Sequence, residues 1–306
     1  MRCRICGAPA VINMRQHKLS LCAEHYPPWL IRQTARAIHK YRMFTAEERV
    51  LVAVSGGKDS LTLWDVLLKL GYQVDGMYID LGIDGGFGYS AQSKAKASAF
   101  EAAHPGTRLL VVDIVATYGE SVLDVAARVQ KELRPCAICG LIKRHEMNRM
   151  ALEGGYSVLA TGHNLDDEAA SLFGNVLHWQ VGYLRRQGPV LPADAEGFAR
   201  KVKPFCRLYE RETAAYALLE GIDYIYEECP FATGATSIQH KETLTQMEHK
   251  TPGTKMHFYV NFLRAREEGL LSNVEDDPPA LRSCERCGQP TTSERLCRFC
   301  RLWARA

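Results

Sequence analysis

Short apolar runs alternate with amphipathic segments through the middle of the chain. The apolar runs have the length of strands and span residues 49–54, 73–79, 108–114 and 156–161. The segments between them have the spacing of helices and span residues 60–70, 89–103, 118–133 and 165–179. Strands joined by helices of this length predict right-handed crossover connections and a parallel sheet that helices cover on both faces. The pattern therefore predicts an α/β domain over residues 49–232.

Helical periodicity also appears on either side of this domain. Apolar residues recur on one face between Leu30 and Tyr41, whereas Arg36 and Lys40 belong to the opposite face. We therefore predict a basic linker helix within residues 28–48. Its basic face is either a solvated surface or a surface that meets nucleic acid. Three more helices are predicted, at residues 209–219, 237–250 and 254–268, the last two within a helical extension and linker of residues 233–280.

Composition narrows the class of protein. Of the 306 residues, 46% are hydrophobic and 24% are charged, which excludes disordered and fibrous chains. No apolar run approaches the roughly 20 residues of a membrane-spanning helix, and the N-terminus does not resemble a signal peptide, so we expect a cytoplasmic protein with no membrane partner. The net charge is only +3, so a polyanionic partner must be met by local basic surface.

Cysteine gives the strongest compositional signal. Random placement of 11 cysteines in this chain predicts only about 0.4 pairs spaced three residues apart, yet four such pairs occur. An odd number of cysteines without a secretory signal favours metal ligation over disulfide bonds. The four pairs are Cys3/Cys6, Cys136/Cys139, Cys284/Cys287 and Cys297/Cys300.

Each end of the chain carries a complete set of four metal ligands. The N-terminal set is Cys3, Cys6, Cys22 and His25, and the C-terminal set is Cys284, Cys287, Cys297 and Cys300. Two residues between paired ligands allow a turn to direct both side chains at one ion, as in tetrahedral zinc sites. We therefore predict two structural Zn²⁺ ions, in zinc-finger modules of residues 1–27 and 281–306. Redox-active thiols and coincidence are the alternatives.

A glycine-rich loop follows the first predicted strand of the sheet. It reads Ser55-Gly-Gly-Lys-Asp-Ser60 and immediately precedes a helix. In that position backbone N–H groups and the positive N-terminal end of the helix bind phosphate. The loop is not a Walker A motif, which would need glycine where Val52 stands. The alternative is a tight turn with a surface lysine and a helix-capping aspartate.

This hexapeptide resembles the loop of the PP-loop ATP pyrophosphatases, which cleave ATP between the α- and β-phosphates to adenylate a carbonyl oxygen. The resemblance implies an adenine-nucleotide α-hydrolase-like fold, with ATP as co-substrate. It also implies a role for each residue of the loop. Ala53, Val54 and Ser55 would contact the nucleotide, Gly56, Gly57 and Ser60 the pyrophosphate, Lys58 its charge, and Asp59 the accompanying Mg²⁺.

Two further segments fit the same family. The stretch Ala160-Thr-Gly-His-Asn-Leu-Asp-Asp-Glu168 resembles its second signature, in which Asp167 would be the catalytic carboxylate. An ordinary acidic first turn of a helix is the alternative. The residues that the resemblance places beside the nucleotide are Ile79 and Asp80, at the end of the second strand, and Gly162 and His163. Asp80 is equally typical of a turn at a strand end.

The central cysteine pair has no second pair nearby, so it does not form a closed zinc site. Cys229, which precedes a proline, can supply a distant third thiolate to Cys136 and Cys139, whereas Cys206 is flanked like a buried strand cysteine. Three thiolates on a [4Fe-4S] cluster would leave one iron without a protein ligand, and that iron could hold sulfur for transfer. A persulfide or disulfide pair of Cys136 with Cys229, and inert buried thiols, are the alternatives.

Taken together, the motifs resemble the TtuA/TtcA group of tRNA 2-thiolation enzymes over essentially the whole chain. The zinc modules favour the TtuA and Ncs6 branches, because the TtcA branch generally lacks them. The resemblance implies a sulfurtransferase that adenylates the C2 oxygen of a tRNA uridine, 5-methyluridine at tRNA position 54, and replaces it with sulfur held on the cluster. Lys143, one helical turn after Cys139, would guide phosphate or tRNA, with a solvated lysine as the alternative.

The resemblance also implies partners. The substrate would be tRNA, the sulfur donor would be a ubiquitin-like carrier protein ending in a thiocarboxylate, and a homodimer is expected. Three other functions remain open: wobble-uridine 2-thiolation, a PP-loop ligase that forms amides with ammonia, and a non-enzymatic zinc protein that binds RNA. The central cysteines argue against the ligase, and the carboxylates Asp59 and Asp167 beside a phosphate site argue against the non-enzymatic protein.

Overall fold

A six-stranded sheet forms the centre of the computed structural model, which describes residues 1–129, 135–193, 197–232, 236–271 and 280–304. In chain order the strands are β1 (Ile12–Met14), β2 (Leu19–Leu21), β3 (Val50–Val54), β4 (Val74–Asp80), β5 (Leu109–Asp113), β6 (Val158–Thr161), β7 (Val190–Leu191), β8 (Arg200–Val202), β9 (Arg282–Ser283) and β10 (Pro290–Thr291). The helices are α1 (Tyr26–Lys40), α2 (Lys58–Lys69), α3 (Tyr89–Ala103), α4 (Ile114–Tyr118), α5 (Val122–Arg128), α6 (Pro135–Glu153), α7 (Leu165–Leu177), α8 (Val181–Arg186), α9 (Glu210–Leu219), α10 (Thr236–Lys250), α11 (Thr254–Glu267) and α12 (Arg298–Leu302), with a 3₁₀ turn at Arg15–His17.

The strands of the central sheet lie in the order β5-β4-β3-β6-β8-β7. All neighbours are parallel except β7, which runs antiparallel to β8. Val54 at the end of β3 lies opposite Tyr78 of β4, and Ala53 lies opposite Thr161 of β6. The loops after β3, β4 and β6 therefore leave the same edge of the sheet. The predicted α/β fold with a mainly parallel sheet is confirmed.

Both faces of the sheet are covered by helices, which explains why β3 is apolar at every position. Val50, Val52 and Val54 belong to one buried cluster, which includes Trp64 of α2. Leu51 belongs to a second cluster, which includes residues of α6. On the first face Trp64 packs directly on Gly76 of β4, where a Cβ atom would come within 2.5 Å of the indole ring.

One predicted helix is interrupted. The segment 118–133 is not continuous, because α4 ends at Gly119, whose φ of +81° lies in the left-handed region. Ser121 then starts α5 with a capping box, in which its hydroxyl accepts from the N–H of Asp124 and the Asp124 carboxylate accepts from the N–H of Ser121. Residues 130–134 lie outside the described part of the chain. The structure also adds α6, α8, β7 and β8, which the hydrophobic pattern did not predict.

The predicted basic helix forms, but it packs as part of the domain. It begins at Tyr26, next to the ligand His25, and prolines occupy its first turn as they prefer to do. The hydroxyl of Tyr26 donates to the carbonyl of Glu212 on α9 at 2.6 Å. Arg36 and Lys40 are exposed on the other face.

The extension after the sheet contains the two predicted helices. These are α10 and α11, which pack on α7, and the predicted linker at 273–279 lies outside the described residues. Over the described ranges, no helix combines the length and the apolar character needed to cross a bilayer.

Candidate active site and metal centres

The glycine-rich loop joins β3 to α2 and is shaped by Gly56. This residue has a φ of +76°, and a Cβ atom in its place would come within 2.3 Å of the carbonyl oxygen of Ser93 on α3. Within the loop, the Ser60 hydroxyl donates to the carbonyl of Gly57 and accepts from the N–H of Ser55, both at 3.0 Å. Gly57 begins α2 without a side chain to cap it, so the first N–H groups of α2 are available to an anion.

The charged residues of the loop meet α9. The Nζ of Lys58 is 3.0 Å from Oδ2 of Asp59 and 2.8 Å from Oε1 of Glu210. The hydroxyl of Thr213, one turn further along α9, donates to Asp59. Burial raises the pKa of the Asp59 carboxyl despite the neighbouring Lys58. Lys58 and Asp59 are therefore held at one side of the loop, each about a quarter exposed.

The second signature follows β6 and touches the first. A Cβ atom on Gly162 would lie 2.9 Å from the backbone of Asp59 and Ser60, so only glycine allows this approach. His163 beside it is exposed, with its Nδ1 3.0 Å from the hydroxyl of Thr161. The structure thus brings both predicted signatures together at one edge of the sheet.

The two aspartates of the second signature have different surroundings. Asp166 is buried, pairs with Lys255 of α11, and accepts from the backbone N–H of Glu210 at 2.8 Å. Asp167 is 27% exposed, and its Oδ2 accepts from the backbone N–H of Asn164 at 3.0 Å. Asp166 therefore supports the fold, and Asp167 is the carboxylate of this pair that is open to a substrate.

A lysine from the extension reaches the same place. The Nζ of Lys241 on α10 lies 2.6 Å from Oδ1 of Asp167 and 3.2 Å from Oε2 of Glu210. Burial alone would raise the pKa of Glu210, but Lys241 and Lys58 lower it to about 2. A cavity of about 520 Å³ adjoins Asp167, Lys241 and His163.

The central cysteines and the loop are both close to α3. Burial raises the pKa of Tyr89, at the start of α3, and the charges of Cys229 and Cys139 raise it further. Ser93, four residues later, is the residue that Gly56 touches. The segment before Cys229 also contacts the loop, since the N–H of Ile225 donates to the carbonyl of Gly56 at 3.0 Å.

The three predicted cluster ligands meet where α6 begins. The Cys136 thiol donates to the carbonyl of Phe231, two residues after Cys229, at 3.2 Å. Burial raises the pKa of Cys139, and the charges of Cys229 and Cys136 add to this, while Lys143 opposes it. Cys136 is exposed, and Cys139 and Cys229 are half-buried.

Cys206 has a different environment. It is completely buried, and burial raises the pKa of its thiol to about 12. A thiol without access to solvent is a packing residue. Cys206 therefore does not join the three open cysteines.

Ile79 and Asp80 end β4 at the same sheet edge as the loop. Asp80 Oδ1 accepts from the backbone N–H of Gly82 at 3.2 Å, and its Oδ2 lies 3.6 Å from Nζ of Lys94. Asp80 thus forms the turn that the alternative interpretation expected, and both residues are half-buried.

Both terminal ligand sets are assembled. In each set the four ligand atoms all lie within 4.8 Å of one another. In the N-terminal set Sγ of Cys22 and Nδ1 of His25 are 3.2 Å apart. In the C-terminal set Sγ of Cys287 and Sγ of Cys297 are 3.8 Å apart. These donor sets fit a tetrahedral metal ion.

The C-terminal module is joined to α6. The Nε2 of His145 lies 3.5 Å from Sγ of Cys287, and its ring stacks on Phe299 of α12 with centroids 3.6 Å apart. The side chain of Asn148, one turn further on, donates to Oε1 of Gln289 at 3.0 Å. The helix that carries Cys136 and Cys139 therefore also holds the C-terminal ligand set.

Comparisons with known proteins agree with this geometry. Residues 2–27 match the family model described as 2-thiouridine synthetase TtuA, N-terminal LIM domain, and residues 48–180 match the tRNA methyl transferase HUP domain. The tRNA-5-methyluridine(54) 2-sulfurtransferase of Thermus thermophilus is 50% identical over 99% of this chain and 91% of its own length. The chain belongs to this sulfurtransferase family. The enzyme of the same name from Thermotoga maritima is 41% identical over 99% of this chain and 96% of its own length.

A solved structure supports the fold of this family member. The U34-tRNA thiolase NcsA from Methanococcus maripaludis, solved with its [4Fe-4S] cluster, superposes with a TM-score of 0.81. The superposition covers 99% of this chain and 95% of that chain, at 24% sequence identity. It confirms the overall architecture expected from the PP-loop resemblance.

The sequence analysis missed two charged residues of the site. Glu210 resembles any acidic residue in the first turn of a helix, and Lys241 resembles any solvated lysine of a polar helix. Neither belongs to a motif, and both lie outside the residues that the HUP model matches. No pattern along the chain could have brought them to the loop.

Proposed function

We propose that this protein is a tRNA sulfurtransferase that uses ATP to activate the C2 oxygen of 5-methyluridine 54 and replaces that oxygen with sulfur. The observation that carries the proposal is that the glycine-rich loop and the three central cysteines are neighbours of the same two segments, the start of α3 and the residues before Cys229. Activation needs the loop, and sulfur transfer needs the cysteines. The target nucleotide, 5-methyluridine 54, is inferred from the names of the relatives reported above.

ATP would bind along the carboxyl edge of the sheet. Its phosphates would meet the N–H groups at the start of α2 and the ammonium group of Lys58, with Gly56, Gly57 and Ser60 forming the floor. Ala53, Val54, Ser55, Ile79, Asp80, Gly162 and His163 would line the nucleotide. Asp59 and Asp167 have side chains that are 24% and 27% exposed, and their hard carboxylate oxygens are the kind of donor that fits Mg²⁺.

Activation then proceeds at the α-phosphorus. The C2 oxygen of the uridine attacks it and pyrophosphate leaves, so negative charge develops on the β-phosphate. Lys58 and the loop N–H groups stabilise that charge. Lys143 lies on α6 beside Cys139, where its charge can orient the tRNA backbone or the AMP that departs in the second step.

Cys136, Cys139 and Cys229 would hold a [4Fe-4S] cluster, whose chemistry would be to supply the sulfur. The donor set fits this group, because three thiols converge from α6 and a distant loop and remain accessible. Over the described residues, only the two terminal sets gather their ligand atoms within 4.8 Å. The cysteines are thus spaced more widely than ligands of a single ion, as a larger cluster requires.

Several parts of the proposal follow from the family resemblance. Zn²⁺ would occupy the two terminal sets, because thiolate and imidazole ligands in closed sets of four are typical of structural zinc. The sulfur donor would be a ubiquitin-like carrier with a C-terminal thiocarboxylate, and the enzyme would be a homodimer in the cytoplasm. Light scattering tests the dimer, and transfer of labelled sulfur from a carrier thiocarboxylate tests the donor.

A two-part assay under anaerobic conditions tests the function. Pyrophosphate release is measured with ATP, tRNA and sulfide, and nucleosides from the treated tRNA are analysed by mass spectrometry. We expect pyrophosphate release that depends on tRNA, and 2-thio-5-methyluridine as the product. Release without tRNA thiolation, in the presence of an intact cluster, would contradict the proposal.

Wobble-uridine thiolation is the second candidate, because NcsA is a U34-tRNA thiolase with the same fold. Two tRNA substrates separate the candidates: one carries cytidine at position 54 and the other carries cytidine at position 34. We expect only the first substitution to abolish thiolation.

A further inference from the structure

The extension after the sheet contributes a charged side chain to the adenylation site. Lys241 of α10 contacts Asp167 on α7 at 2.6 Å and Glu210 on α9 at 3.2 Å. Glu210 in turn contacts Lys58 at 2.8 Å. We propose that Lys241 is a positioning residue for adenylation, which fixes the carboxylate of Asp167 directly and the ammonium group of Lys58 through Glu210. This inference rests on the proposed function.

Both carboxylate oxygens of Asp167 are engaged. Its Oδ2 accepts from the backbone N–H of Asn164, which is a cap within α7 itself, and its Oδ1 faces Lys241. The cap fixes one oxygen, but the carboxylate could still rotate about that hydrogen bond. Lys241 removes this freedom, and it is the contact that can be deleted without breaking the cap.

Glu210 has one lysine on each carboxylate oxygen. Oε1 contacts Lys58 and Oε2 contacts Lys241, while the backbone N–H of Glu210 donates to the buried Asp166. The start of α9 is therefore fixed, and only the Glu210 side chain can respond to a change. Without Lys241, the carboxylates of Glu210 and Asp167 would lose the cation between them and repel each other. Lys58 would follow Glu210 away from the position of the phosphates.

Helices α2 and α9, which carry Lys58 and Glu210, offer a matched control at their C-terminal ends. Lys69 on α2 also joins two carboxylates, with Nζ 2.9 Å from Asp65 and 2.6 Å from Glu220, the residue that caps the C-terminus of α9. It lies 11 residues after Lys58, three turns of α2 from the loop. Removal of Lys69 costs the same kind of ion pairs without touching Asp167 or Glu210.

The experiment compares Lys241→Met, Lys241→Arg and Lys69→Met in tRNA-dependent pyrophosphate release. We expect Lys241→Met to lower kcat by about 100-fold, the usual consequence of misplacing catalytic groups by about 1 Å, with a much smaller change in the KM for ATP. Lys241→Arg should recover most of the rate, because it restores the charge. Lys69→Met should keep the wild-type kcat, and all variants should keep the wild-type zinc and iron content.

Coupling between the residues gives a second readout. Because Lys241 acts on Lys58 through Glu210, Lys241→Met should lower kcat less in a Glu210→Gln background than in the wild-type protein, and the loss that remains there comes from its direct contact with Asp167. Independent, multiplicative effects would overturn the inference. So would a wild-type kcat in Lys241→Met, an equal loss in Lys69→Met, or failure of Lys241→Arg to recover the rate. A wild-type protein that releases no pyrophosphate with tRNA would instead refute the proposed function.

Discussion

The terminal ligand sets and the central cysteines use the same chemistry in opposite ways. Each terminal set has four ligands within 4.8 Å, all drawn from one short stretch of chain. The central set has three cysteines, two from α6 and one from a loop about 90 residues later, and one of the three is exposed. A complete set leaves no position for a reactant, whereas an incomplete and exposed set leaves one. Under the proposed function, the closed sites would hold the fold and the central site would serve the reaction.

This difference also appears in what surrounds each site. Cys3, Cys22 and Cys284 are buried among apolar residues, and modules of this size usually need a metal or disulfides in order to fold. Cys139 instead lies beside Lys143, and α3 links Cys139 and Cys229, which are near Tyr89, to the glycine-rich loop, which Ser93 touches. Loss of a terminal ligand should accordingly unfold a module, and loss of a central ligand should stop one chemical step.

The largest effect is expected from Cys22→Ser. Binding of structural zinc contributes an apparent free energy of about 10–16 kcal/mol, so loss of one ligand should unfold the N-terminal module. Elemental analysis should then find about one zinc ion per chain in place of about two, and the melting temperature should fall. Cys229→Ser is the control and should keep both ions. If Cys22→Ser still binds two zinc ions per chain, the proposed difference between the closed and open sites is wrong.

The open site should lose its chemistry without losing its fold. Cys136→Ser, Cys139→Ser and Cys229→Ser should each remove iron, labile sulfide and tRNA thiolation, yet keep zinc, the melting temperature and pyrophosphate release. Cys206→Ser is the control and should retain iron and thiolation, because that buried side chain touches neither site. Thiolation by iron-free protein would favour a persulfide relay between Cys136 and Cys229 instead.

The nucleotide loop should be separable from the cysteines in the reverse sense. Lys58→Ala and Asp59→Ala should reduce pyrophosphate release by about 100- to 1,000-fold, because each acts on charge that develops during the reaction. Both variants should keep iron, zinc and the visible absorption of the cluster. If either variant adenylates tRNA at nearly the wild-type rate, the assignment of that residue to the nucleotide site is wrong.

The smallest effect should distinguish the two closed sites from each other. His145 faces Cys287 from outside the C-terminal set at 3.5 Å, whereas His25 is a ligand of the N-terminal set itself. Loss of a partner of a metal ligand typically lowers metal affinity by about 10- to 100-fold. His145→Gln should therefore release one zinc ion faster to a chelator and leave the other unchanged. His39 is an exposed histidine of α1, so His39→Gln is the control. If both variants release zinc at the same rate, the contact between His145 and Cys287 does not help to hold the ion.

The order of residues was sufficient to predict the parts of this protein that depend on local geometry. Ligands two residues apart, a glycine-rich turn between strand and helix, and the alternation of apolar runs all act within a few residues of one another. The four strands of the parallel core and the loop at Ser55–Ser60 were predicted for that reason, as was the basic face of α1. The break at Gly119 was missed because the helical pattern continues through it.

Only the tertiary structure decided which distant groups meet. Glu210 and Lys241 reach the loop because α9 and α10 pack against α2 and α7, and helix packing depends on the shape of whole surfaces. The same holds for His145 against Cys287, and for the burial of Cys206 while Cys229 lies open near Cys139. Ion pairs and thiol contacts require side chains to lie within a few ångströms of each other. The number of residues between two positions does not determine that distance.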